Sequence, residues 1–212
     1  MNVEILKSAF AGLVLSVSSF ANAGLISLTG DGGWVDASSL TKSVNSLSGE
    51  FITDVNVWVD FSKCSNTSTG SCDTFNTGGT YDNEIEFSLM YNGINVLLLP
   101  RSTFTNSNSG SITEFITFDN QALQTLGTSP ESGNFQPTNA LNVFNGLSAT
   151  GSWAFTFTDT TGSDGLEVHR WGVDITTTSV PEPTTLAIFA LGIMGLASRR
   201  SLLANKNSNQ SV

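Results

Sequence analysis

Residues 24–178 predict an all-β fold built as a sandwich of two sheets. Apolar and polar residues alternate with a period of two in a series of short stretches. Clusters of Gly, Asn, Asp and Ser, which favour turns, separate the stretches. No stretch sustains the 3.6-residue apolar period of a helix. Strands with one apolar face each bury those faces by stacking one sheet on another.

The elements follow in chain order. From Phe51 to Phe61, Val55, Val57, Val59 and Phe61 share one face, while Asp54, Asn56, Trp58 and Asp60 share the other. Glu84 to Leu89 repeats the pattern with Ile85, Phe87 and Leu89 inward. Val96 to Leu99 is a short continuous apolar strand, closed by Pro100 because proline cannot donate to a ladder. Asn120 to Leu126, behind Asp119 as a candidate N-cap, is the one stretch that reads as a helical turn. Trp153, Phe155 and Phe157 alternate with Ala154, Thr156 and Thr158, and Trp171, Val173 and Ile175 with Gly172, Asp174 and Thr176.

Both ends read as addresses outside the fold. Ala9 to Phe20 is apolar over the length of a signal peptide, and Ala21-Asn22-Ala23 is a small-x-small cleavage site for signal peptidase. Residues 1–23 are thus a leader, with an uncleaved anchor as the alternative. At the other end, Pro181-Glu182-Pro183 is stiff and extended, because proline fixes its own φ and restricts its predecessor. Leu186 to Ala197 follows as a single apolar helix, then Arg199-Arg200. The apolar segment is about 15 residues long, short against the roughly 20 of a full membrane span. The Arg pair places its end on the cytoplasmic side of the inner membrane. Residues 179–200 resemble the PEP-CTERM sorting tail of Gram-negative bacteria that make extracellular polysaccharide. That resemblance implies processing by an exosortase, transient anchoring in the inner membrane, and delivery to the cell surface or extracellular matrix. An ordinary C-terminal anchor is the alternative. Residues 201–212 form a polar extension beyond the point where the family usually stops.

The full chain has a formal net charge of −10. Between the two addresses, 16 acidic residues face 4 basic ones. Such a surface repels nucleic acid and anionic membranes and tolerates divalent cations or neutral sugars. In an exported chain the two cysteines, Cys64 and Cys72, are expected to form a disulfide around a polar loop.

The second half carries a series of motifs in order: Thr117-Phe118-Asp119-Asn120-Gln121-Ala122, Leu141 to Gly146, Gly151-Ser152-Trp153, and Asp159 to Trp171. Upstream, Ile52 to Phe61 and Asn83 to Leu89 supply two strand motifs. The series resembles the P/Homo B domain that follows the catalytic domain of subtilisin-like proprotein convertases. The resemblance implies a jelly-roll β-sandwich, similar in build to galactose-binding-like domains. Glu84 stands where the family has Asp, Asn120 replaces the second Asp of its "TFDD", and the last Gly of the closing motif is displaced.

Candidate chemistry is sparse. No G-x-S-x-G elbow, H-E-x-x-H motif or free Cys-His pair is present, so the expectation is a protein that is not an enzyme. His169 is expected to be a surface residue. Asp82, Glu84, Asp119, Asp159 and Asp164 are candidate oxygen ligands for calcium, the one cofactor considered, with turn-capping as the alternative for Asp159 and Asp164 and helix-capping as the alternative for Asp119. Trp58, on a polar face between Asn56 and Asp60, is the candidate carbohydrate contact, with loop cover or lipid-side packing as alternatives. The functional expectation is a structural or adhesive protein of an exopolysaccharide matrix or biofilm. A calcium- or carbohydrate-binding module, or an accessory P domain beside a separate protease, is the alternative.

Overall fold

The computed structural model describes residues 23–65, 70–72, 79–105, 107–108 and 111–178. Residues 1–22 and 179–212 lie outside them, and with them Ala21, the sorting triplet, the apolar tail helix, the Arg pair and the polar extension. Among the described residues no helix is long and apolar enough to cross a membrane.

Among the described residues strands form in the order β1 (Ala23–Val35), β2 (Ser38–Ser46), β3 (Phe51–Cys64), β4 (Thr80–Tyr81), β5 (Ile85–Tyr91), β6 (Ile94–Leu99), β7 (Ser107–Asn108), β8 (Ile112–Phe118), β9 (Gln124–Thr125), β10 (Gly133–Gln136), β11 (Gly151–Asp159) and β12 (Gly165–Thr178). One sheet has the order β1-β12-β3-β8-β10-β9, the other β2-β11-β5-β6, and β4 pairs with β7 apart from both. With the two-residue strands and β10 set aside, the pairing is nested. The first long strand pairs with the last, β2 with β11, β3 with β8, and β5 with β6, all antiparallel. A long hairpin folded over in this way is a jelly roll of eight strands.

Side-chain alternation decides which face each residue meets. Val55, Val57, Val59 and Phe61 of β3 are buried, as are Ile85, Phe87 and Leu89 of β5 and Trp171, Val173 and Ile175 of β12. Aromatic contacts join the two sheets directly. Phe61 meets Phe87 edge-on at 5.3 Å, and Phe155 stacks on Trp171 at 5.1 Å. Trp171 faces Gly30 in register, where a Cβ would come within 2.5 Å of the indole. At one end Tyr91 stacks on Trp153 at 3.8 Å, with Phe144 packed edge-on against both rings. Phe144 belongs to a 3-10 turn, Leu141–Phe144, that covers this end. Asn92 and Gly93 both take positive φ between β5 and β6, the geometry of a tight hairpin turn.

One sequence expectation changes here and another is met. Asn120 to Leu126 is not helical. The Asp119 carboxylate accepts the Gln121 amide at 2.6 Å, and Gln136 Nε2 donates to the Ala122 carbonyl, drawing the segment into β9 beside β10. Leu123 in this stretch is fully exposed, while Ala122 is buried and Leu126 packs against the core from the extended chain. The helical turns lie elsewhere, at Asp82–Glu84 and Leu141–Phe144. The cysteines do pair, Cys64 with Cys72, at a Cα–Cα distance of 5.6 Å. Cys72 N donates to Glu167 Oε2 at 2.6 Å, which ties this end of the loop to β12.

The aromatic bridge between the sheets sets an expectation for stability. Phe155→Ala, which empties a site between Phe87 and Trp171, should cost about 3–5 kcal/mol in urea unfolding. Leu123→Ala, at a fully exposed position, should stay within about 0.5 kcal/mol of the parent.

Candidate functional site

Two places on the sandwich combine chemistry that the core does not require. The first is a buried charge cage between the sheets. Lys63 continues the inward row of Val57, Val59 and Phe61 on β3, so alternation sends it into the core. Asp159 continues the inward row of Trp153, Phe155 and Phe157 on β11 and is also fully buried. The two meet, with Lys63 Nζ 2.7 Å from Asp159 Oδ2. Nζ also donates to the Asp164 carbonyl at 2.6 Å and lies 3.1 Å from Asp164 Oδ2 and 3.5 Å from Glu84 Oε2. Asp164 comes from the turn before β12, and Glu84 from the 3-10 turn before β5. The other Asp164 contact, Oδ2 with Tyr81 N at 2.5 Å, pins that turn to β4. Asp82 lies in the same group, accepting a hydrogen bond from Thr80 Oγ1 at 3.0 Å and feeling the charges of Lys63 and Asp164.

Four of the five candidate calcium ligands, Asp82, Glu84, Asp159 and Asp164, are therefore brought together. Asp119 is not among them; its carboxylate caps the turn at Gln121. The group does not fit calcium, because the Lys63 ammonium occupies the point that its oxygens face. Among the described residues no cluster of His, Cys, Asp and Glu has the arrangement of a metal site. Of the candidate calcium set, four members gather around Lys63 and Asp119 stands apart. The sequence signal for Lys63 was its place two residues beyond Phe61, the next inward position of the same strand.

The second place is the outer face of the six-stranded sheet. Trp58 is half-buried there, directly opposite Gly172 on one side and Thr117 on the other. A Cβ at position 172 would stand 2.4 Å from the indole, so the glycine lets the ring lie against the sheet. Phe115, 46% exposed, stacks beside it with centroids 5.7 Å apart and planes 19° apart. Asp60, opposite Phe115 in register, pairs loosely with Arg170 at 3.9 Å. Asp54 accepts from Gln121 Nε2 at 3.1 Å. The result is a shallow aromatic surface with carboxylates and amides around it. Phe115 is the member of this pair that sequence reading missed. It lies on a different strand, and only the β3–β8 register brings it beside Trp58.

The other singled-out residues fall outside both places. Ala23 begins β1 and pairs with Thr178 at the far end of β12. Trp34, on β1, lies over Gly165, and Trp153 and Trp171 are core residues. His169 sits at an irregularity in β12, partly exposed, with Nε2 2.8 Å from Ser62 Oγ.

The cage makes stability depend on pH. Burial pushes the Asp82 and Asp159 carboxyls up from 3.8 to about 6, against the smaller opposing pull of hydrogen bonds and Lys63. Burial likewise raises Asp164. In the folded chain Asp82 and Asp159 keep protons that the unfolded chain releases above pH 3.8. Their contribution is thus complete below that value and is lost as pH climbs through about 6. A two-unit shift corresponds to about 3 kcal/mol per group. The melting temperature should therefore rise by several degrees between pH 7.5 and pH 5. Asp82→Asn should flatten that rise, and a melting temperature that instead falls over this interval would contradict the assignment.

Comparison with known proteins adds one assignment. Residues 179–201 match the PEP-CTERM protein-sorting motif. No curated protein matches the chain. Two solved structures show partial likeness. The crystal structure of dimeric latent PorU from Porphyromonas gingivalis is 13% identical, covering 76% of this chain and 14% of that one, with a TM-score of 0.34. A structure of the infectious bursal disease virus Gt strain is 11% identical, covering 88% and 49%, with a TM-score of 0.19. The chain thus spans about one-seventh of the length of the PorU chain, and neither superposition is close enough to carry a function across. What the comparisons establish is the tail: residues 179–201 carry a PEP-CTERM protein-sorting motif, which indicates export and anchoring in the membrane until an exosortase processes the chain.

Proposed function

We propose that the mature sandwich is a non-enzymatic structural or adhesive protein of the cell surface or extracellular matrix, working against exopolysaccharide. The observation that carries this reading is the Trp58–Phe115 pair on the outer sheet face. Aromatic planes at a surface stack against the apolar faces of sugar rings, and neighbouring carboxylates and amides accept and donate hydrogen bonds to hydroxyl groups. The excess of acidic residues favours uncharged glycans over anionic ones. The alternative within the same chemistry is a dedicated carbohydrate-binding module, in which the pair recognises one defined sugar. An accessory P domain beside a separate subtilisin-like protease is the remaining alternative, and co-purification with such a protease would favour it.

The test is co-sedimentation of the full chain with exopolysaccharide prepared from the organism that makes it. The parent protein should pellet with the polymer. Trp58→Ala combined with Phe115→Ala should weaken retention at least roughly tenfold, the loss of one or two stacking contacts, while leaving the melting temperature close to the parent value. A parent protein that stays in the supernatant would retire the matrix reading. Delivery has its own expected outcome. Replacing Pro181 and Pro183 with Ala should leave uncleaved precursor in the inner membrane, seen as an unprocessed mass in the membrane fraction.

A further inference from the structure

We propose that the Lys63 ammonium is a built-in substitute for a divalent cation: the sandwich contains a cation cage whose occupant is covalently part of the chain.

The geometry supports this in three ways. First, the cage has the donor chemistry of a hard-cation site rather than of a simple ion pair. Four oxygens stand within 3.5 Å of one point: Asp159 Oδ2, the Asp164 carbonyl, Asp164 Oδ2 and Glu84 Oε2. A backbone carbonyl combined with carboxylates from separate segments is how calcium is held. A buried ammonium has three N–H donors, which Asp159 Oδ2, the Asp164 carbonyl and Asp164 Oδ2 can satisfy, but it carries one charge, and here three acidic side chains contact it with Asp82 beside them. Second, the cage has unused capacity. Asp164 Oδ1 is buried with no hydrogen-bond partner, and Glu84 Oε2 has only its long contact to Nζ. One positive charge does not satisfy what these segments offer. Third, the occupant holds distant parts of the chain together as a structural metal would. It joins β3 of one sheet to the end of β11 in the other, and to the turns that precede β5 and β12.

The consequence is a domain whose folding does not wait for calcium. An exported protein meets calcium concentrations that vary with the surroundings, and a tethered ammonium is present at every one of them. It also follows that removing the ammonium should uncover the site. Without Lys63 the cage would hold up to four carboxylates and a carbonyl around a water-sized space, with no cation among them.

The experiment compares melting temperatures of the full chain in mild detergent, with millimolar calcium chloride and with chelator, at pH 7.5. The parent should melt at the same temperature in both. Lys63→Ala should melt roughly 10 °C lower in chelator and regain several degrees with calcium, because only a ligand that prefers the folded state stabilises it. Magnesium at the same ionic strength should restore less, since it demands a tighter octahedral shell. Lys63→Ala combined with Asp159→Asn should lose the calcium response. Lys63→Met, which refills the space with an apolar stem, should respond less than Lys63→Ala. If Lys63→Ala cannot be purified, refolding it with and without calcium gives the same decision: recovery only with calcium supports the cage, and failure in both overturns it. A parent protein stabilised by calcium, or a Lys63→Ala protein indifferent to it, would also overturn the proposal.

Discussion

The sandwich depends on how a single buried ammonium is neutralised. Lys63 is fully buried, and a charge in that position is tolerable only when its partners are in place. Those partners belong to different parts of the chain, so the cage is complete only when both sheets have met and the turns before β5 and β12 have closed. Hydrophobic burial supplies the driving force for stacking the sheets, but it is not directional. The cage supplies direction. A slip of β3 by one residue would turn Lys63 out and Ser62 in, leaving Asp159 inside without its counter-ion.

The two ends of the sandwich solve different problems. At one, Tyr91, Trp153 and Phe144 close the core with stacked and edge-on rings, and the Tyr91 hydroxyl donates to the carbonyls of Ser148 and Thr150. At the other, where the core must meet polar turns, charge replaces aromatic surface. The outer face of the larger sheet is separate from both. There Gly172 gives up its side chain so that Trp58 can lie flat, and the indole is held in place by Phe115 rather than by the core.

The strands were legible because alternation is local. Val55 to Phe61, Ile85 to Leu89, Trp153 to Phe157 and Trp171 to Ile175 each announce an inward row from their own spacing, and each is buried. The gathering of Asp82, Glu84, Asp159 and Asp164 was partly legible, since acidic residues near turns suggested a shared site. Its occupant was not. Lys63 and Asp159 each stand one step beyond an inward row, and reading the rows two residues further would have placed both charges inside. That they meet depends on pairing between strands nearly a hundred residues apart, which no local pattern records. The turn after Asp119 misled for the opposite reason. A helix N-cap and a capped β-turn use the same carboxylate-to-amide bond, and the choice was made by β10, which drew the following residues into β9.

The nested register also governs the order in which the molecule can form. In its sheet β1 has one neighbour, β12, and the pairing runs from Ala23 with Thr178 to Val35 with Leu166. A chain made from its N-terminus presents β1 first and must wait for its last strand before that ladder can begin. Contacts of such long sequence separation bring loop-closure entropy early and reward late, which makes folding slow. Until then β1 remains an unpaired strand, open to the wrong partner. The interval between emergence and closure is therefore the period in which this protein is most exposed to aggregation, and a holding chaperone would matter most before residue 178 has appeared.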